Sequence, residues 1–166
     1  MSEFPRRKHS RLKEYDYSLG GAYFVTICTK DRKCILSKVD VGPDALIGPS
    51  VILTNVGEIA EQYIKNTEMV YPGIIVEHYV IMPNHVHILL RIETGERGPM
   101  RASGPTVGVI IKGIKGMTTR ALGHSVWQEK FHDHVIRDEN DFLNHWQYID
   151  SNPARWAEDE YYMREE

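Results

Sequence analysis

The chain has 166 residues, 42% of them hydrophobic, which suits one domain with a real core and argues against wholesale disorder. Twenty Lys and Arg stand against 23 Asp and Glu, so the net charge of −3 does not advertise nucleic-acid binding. No run approaches the roughly 20 apolar residues of a membrane span, and the start, MSEFPRRKHSRLK, lacks a signal-peptide apolar segment. The two cysteines, Cys28 and Cys34, make neither a disulfide framework nor a zinc motif. A soluble cytoplasmic protein of one domain, residues 1–166, is the expectation.

Residues 1–18 read as a basic arm, with Arg6, Arg7, Lys8, Arg11 and Lys13 against Glu3. Residues 22–29 (AYFVTICT) are short, β-branched and aromatic, and predict a buried strand. Gly42, Pro43, Gly48 and Pro49 mark 38–50 as a loop or excursion. Thr54 or Asn55 can cap a helix over 55–68, with Ile59, Ala60, Tyr63 and Ile64 on one face. Pro72-Gly73 stops it. A second strand over 74–82 and a third over 85–92 flank a Pro83-Asn84 turn and predict a hairpin. The segment from 93 to 106, rich in Gly and Pro, is a loop. Residues 106–122 are helical by spacing, with Val109, Ile110, Ile114, Met117 and Leu122 apolar, although Gly108, Gly113 and Gly116 weaken the pattern. A fourth strand covers 132–137. A last helix covers 138–151, with Phe142, Leu143, Trp146 and Ile149 apolar. Asn152-Pro153 is expected to close it, because a residue before proline is pushed from the α region. An acidic tail, 157–166, follows, either disordered or covering a basic groove.

Strand, helix, strand, strand, helix, strand and an added C-terminal helix give an α+β chain with the β-α-β-β-α-β order of ferredoxin-like folds. The first and third strands then lie at the centre of an antiparallel sheet. His85 and His87 are two apart on the third strand, so both imidazoles leave one face, as half of a metal site would require. Ordinary half-exposed strand histidines are the plainer alternative. Tyr148 and Asn152 are four apart and share one face of the last helix, where a nucleophile and an amide ligand could sit. A second HxH, His132 and His134, has no third ligand evident in the sequence. Lys112, Lys115 and Arg120 follow roughly one helical stripe that could grip a DNA backbone, and Arg137 could reach a phosphate; solvated faces explain them nearly as well. Trp127 reads as core, and Trp146 as an anchor for the last helix.

YVIMPNHVHILL, VWQEKFHDHVIRDENDF and WQYIDSNPARW, in this order, resemble the single-tyrosine HUH transposases of small insertion sequences, and within them the REP-associated tyrosine transposases of bacteria. RRKHSRLKEYDYSLGGAYFVTICTKDR looks like the same branch, so the resemblance runs from about residue 6 to residue 156. It implies that His85 and His87 bind a divalent metal and that Tyr148 attacks DNA. Asn152 stands where insertion-sequence members carry a glutamine, as the third ligand. The resemblance further implies Mg2+ or Mn2+, a 5′-phosphotyrosine link, single-stranded or hairpin DNA as partner, and a bacterial protein acting at the nucleoid. A monomer and a homodimer are both open. Two other readings stay beside this one: a non-catalytic nucleic-acid-binding module on the same fold, and a metal-dependent hydrolase using the same histidines.

Overall fold

The computed structural model describes residues 21–42, 48–93 and 105–163. The basic residues Arg6, Arg7, Lys8 and Arg11, and most of the loop between 93 and 106, lie outside them. The central sheet is four-stranded and antiparallel throughout. It is built from β1 (Gly21–Cys28), β4 (Ile74–Ile81), β5 (His85–Ile92) and β6 (His132–Val135), in the order β4-β5-β1-β6. The first and third strands of the expected pattern are therefore central. Where a loop was expected over 38–50, two short strands, β2 (Ser37–Asp40) and β3 (Ser50–Leu53), pair antiparallel. Val39, Val51 and Ile52 supply the β-branched residues of this pair, which the glycines and prolines between the strands obscured.

Each face of the sheet has its own chemistry. Tyr23, Val25 and Ile27 of β1 alternate with Phe24 and Thr26, and Val86, Ile88 and Leu90 of β5 alternate with His85, His87 and Leu89. The first set is fully buried under α1 (Asn55–Lys65) and α3 (Val107–Leu122), against Ala60, Ile64, Ile110, Ile111 and Ile114. Such burial explains why α3 forms despite its glycines: packing of the apolar face outweighs local propensity. Gly113 makes room there for Tyr71, since a Cβ would stand 2.5 Å from its hydroxyl and the ring would have to shift. Ile111 takes the core place that spacing gave to Val109 and Met117, both of which are exposed.

Thr54 caps α1 by accepting from the Gly57 amide at 3.1 Å, while its hydroxyl donates to the Ile35 carbonyl at 2.6 Å. The helix stops at Lys65, and a separate short turn of helix, α2 (Thr67–Val70), completes the segment expected as one helix.

The opposite face receives α4 (Glu139–Ser151). A β-bulge at Glu77 resets strand parity between Val76 and His78. It turns His78 from the apolar face to the α4 face. There His78 stacks on Trp146, ring centroids 4.4 Å apart, and bonds Asp150 at 2.6 Å. Trp146 thus anchors α4, as expected. Leu143, placed on the apolar side by spacing, is exposed. Asp138 caps α4 by accepting from the Asp141 amide at 2.8 Å. Asn152 keeps right-handed helical angles (φ −59°, ψ −43°), contrary to the expectation for a residue before proline. Pro153 opens a 3-10 turn, Pro153–Glu158, so its missing N–H falls where no helical bond is needed.

Gly57 abuts the Leu36 carbonyl so closely that any Cβ would overlap it. Gly57→Ala should therefore destabilise the protein by about 1–3 kcal/mol, read as a lower denaturant midpoint with an unchanged slope.

Candidate active site

His85 and His87 are 0% and 2% exposed, with ring centroids 4.6 Å apart. Strand alternation brings them together, and the Asn84 amide sets the tautomer of His85. The Asn84 amide nitrogen donates to two backbone carbonyls, Arg32 at 3.2 Å and Tyr161 at 2.7 Å. The Asn84 oxygen must then accept, and its partner 2.9 Å away is His85 Nδ1. The His85 proton sits on Nδ1, and Nε2 carries a bare lone pair. His87 Nδ1 lies 2.8 Å from the Thr26 hydroxyl; with Nδ1 as donor, its Nε2 is bare as well. Burial drives the His85 imidazole from its ordinary 6.5 down to about 4, against the opposing pull of Asp159. Burial, then the neighbouring His85 and His145, holds His87 well below the ordinary value too. Both are neutral rings, as metal ligation requires.

Asn152, 3% exposed, sits at the end of α4 beside His85 and Tyr148. Its amide nitrogen donates to Asp159 at 3.1 Å, which fixes the amide and leaves Oδ1 as the free end. His85 Nε2, His87 Nε2 and Asn152 Oδ1 are all buried without any hydrogen-bond partner. Three acceptors without a donor fit a divalent cation.

Tyr148 stands edge-on to His87 at 5.2 Å and to Phe24 at 5.9 Å, 39% exposed, at the wall of a cavity of about 310 Å3 that His87 also lines. The phenol therefore faces an open space beside the imidazoles rather than packed interior. Burial raises its pKa above 10, and Asp159 and Glu160 raise it further, while Asn152 pulls the other way.

Other expected residues lie elsewhere. Lys112 and Arg120 are exposed on α3, across the sheet from the histidine pair. Lys115 is spent structurally: its ammonium donates to the carbonyls of Gln128, Glu129 and Lys130 at 2.8 to 3.2 Å, and burial lowers its pKa. Arg137 is exposed just before α4. Trp127 is 5% exposed in the core, as expected. The second HxH does not act as a pair. His134 bonds Asp141 at 2.9 Å and stacks on His145, so its partners come from α4, which spacing could not show. Asp141 also accepts from the Arg137 amide.

Three residues of the site carried no clear signal. Thr26 is one of many strand threonines, Asn84 read as a turn residue, and Asp159 was one acid in an acidic tail. Of that tail, residues 157–163 are described, and two of them reach the histidine pair. Asp159 and Tyr161 pack on His85, the Tyr161 ring 4.6 Å from it. Among the described residues no helix is long and apolar enough to cross a membrane.

The chain is 31% identical over 175 residues to a Haemophilus influenzae protein described only as uncharacterised, covering 95% of this chain and 93% of that one. It is 24% identical over 147 residues to the REP-associated tyrosine transposase of Escherichia coli, covering 88% of this chain and 73% of that one. A solved REP-associated tyrosine transposase, bound to a REP hairpin, shares the fold with a TM-score of 0.58 at 23% identity, over 87% of this chain and 74% of that chain. No protein-family model matches. In sequence and in fold the chain is thus similar to REP-associated tyrosine transposases.

Low imidazole pKa values fix the sign of a pH effect. The unfolded chain takes up protons at these rings near pH 6.5, and the fold refuses one at His85 until about pH 4. The unfolded state binds more protons in that window, so stability falls as pH drops through it. Thermal melts of chelator-treated protein should show Tm declining from pH 6.5 toward 4, with a flatter dependence in a His85→Gln/His87→Gln variant.

Proposed function

We propose that the protein cleaves and rejoins single-stranded DNA beside a hairpin, through a covalent 5′-phosphotyrosine at Tyr148, with a divalent metal held by His85, His87 and Asn152. The observation that carries this reading is the set of three buried acceptors without donors, beside a half-exposed phenol on the wall of a cavity that His87 also lines. The hairpin as partner rests on the hairpin bound by the solved relative.

Bound Mg2+ or Mn2+ would polarise the scissile phosphate and offset charge that grows on its oxygens. The chain's own residues do the rest. Asn84 holds the His85 tautomer, so no proton need leave its Nε2 before ligation, and Thr26 holds the His87 ring. Phe24 and His87 hold the Tyr148 ring edge-on and limit its rotation. The phenol gives up its proton, its oxygen bonds phosphorus, and the 3′ oxygen leaves and is protonated to a hydroxyl. A raised phenol pKa means that the proton must be drawn off as the substrate binds, not beforehand. Rejoining reverses these steps, and the phosphotyrosine bond supplies the energy without a nucleotide.

Incubation with hairpin-bearing single-stranded oligonucleotides and Mn2+ should give denaturant-resistant protein–DNA bands. Tyr148→Phe should abolish them. His85→Ala and His87→Ala should reduce them about 100-fold or more. Bands of wild-type strength from Tyr148→Phe would overturn the assignment.

Asn84→Ala leaves both histidines but frees the His85 ring. Mn2+ affinity, measured calorimetrically, should fall about 10- to 100-fold.

A further inference from the structure

Asp159 is the acid that stands within the histidine pair. Its side chain is 2% exposed, and its Oδ2 lies 3.9 Å from the bare Nε2 of His85. Ligand atoms of His85, His87 and Asp159 all fall within 4.8 Å of one another. In an octahedral site with bonds of about 2.1 Å, neighbouring ligands stand about 3 Å apart and opposite ones about 4.2 Å, and the 3.9 Å between Asp159 Oδ2 and His85 Nε2 falls inside that range. The same Oδ2 accepts from the Asn152 amide nitrogen at 3.1 Å, and Oδ1 accepts from the Tyr161 backbone amide at 2.8 Å. Asp159 therefore turns the Asn152 carbonyl end away from itself.

Charge makes the case stronger. Two neutral imidazoles and one neutral amide give a site without an anion, which is a weak trap for a hard dication. A carboxylate supplies the missing negative oxygen. It enters from the segment after Pro153, not from the sheet or α4. A buried carboxylate that accepts from neutral amides is also a group that a cation would compensate.

We propose that Asp159 is a fourth protein ligand of the metal site, and that it also sets the orientation of Asn152. This rests on the reading of His85, His87 and Asn152 as ligands. The two roles are separable, since ligation needs the carboxylate oxygen itself whereas orientation needs only an acceptor.

Mn2+ binding to the full chain, followed by electron paramagnetic resonance of free Mn2+ without DNA, tests both levels. Wild type should bind, and the His85→Ala/His87→Ala variant should not; failure of either result sinks the underlying site. With those results in hand, Asp159→Asn should weaken Mn2+ binding about 10- to 100-fold while the metal-free Tm moves little. Unchanged affinity would overturn the proposal and leave the three-residue site standing. A gain of signal guards against misfolding. Asp159→Cys loaded with Co2+ should show a sulfur-to-cobalt charge-transfer band that wild type lacks. Bound Co2+ without that band would place residue 159 outside the coordination sphere and overturn ligation.

Discussion

Three buried atoms without hydrogen-bond partners, His85 Nε2, His87 Nε2 and Asn152 Oδ1, are the constraint around which the polar side of this molecule is built. Each buried acceptor left unpaired costs about 1–3 kcal/mol. A fold keeps such an arrangement only where neighbours hold it firmly, and here they do. Asn84 spends both of its amide protons on backbone carbonyls so that its oxygen can accept from His85. Thr26 does the corresponding work at His87, and Asp159 at Asn152. The rest of the polar layer follows from these ties, because the Tyr161 carbonyl that Asn84 grips also brings the acidic segment over the imidazoles.

The sheet makes this affordable by separating its two faces. Alternation in β1 and β5 places every large aliphatic side chain except Leu89 under α1 and α3, so stability comes mainly from one side. The other side is freed for histidines, a threonine and an aromatic ring that a core would reject. The bulge at Glu77 extends that division to β4, since without it His78 would point into the apolar layer and α4 would lose its stacking partner for Trp146. Lys112 and Arg120 sit on the helix layer that covers the apolar face. Any DNA they touch must therefore pass around an edge of the sheet to reach Tyr148.

Much of this was legible in the sequence, for physical reasons. Period-two alternation in 85–92 placed both imidazoles on one face, and the four-residue step from Tyr148 to Asn152 placed phenol and amide on one side of a helix. Strands with a continuous apolar face and helices with capping threonines announce themselves. Other features depend on distant partners. Lys115 looks like its exposed neighbours, but the turn of carbonyls at 128–130 that captures it comes from elsewhere. His134 resembles half of an HxH pair, yet its partners lie on α4. The pairing of β2 with β3 was hidden because Gly and Pro dominated the reading of that stretch.

Asp159 illustrates the hardest case. In the sequence it is the middle of Glu158-Asp159-Glu160, three acids in a row, and a solvated tail is the natural expectation. What distinguishes it is the turn that Pro153 begins. Asn152 stays helical, the 3-10 turn carries the chain on past the end of α4, and residue 159 lands back beside the residue that ended that helix. The amide of Asn152 and the carboxylate seven positions later are thus held by one local loop, independent of the sheet. The histidines are positioned by strand register and the Asn152 and Asp159 side chains by a turn. Two elements that fold on different local rules meet at one point, and Tyr148, one helical turn before Asn152, is aimed by the same helix that supplies the amide.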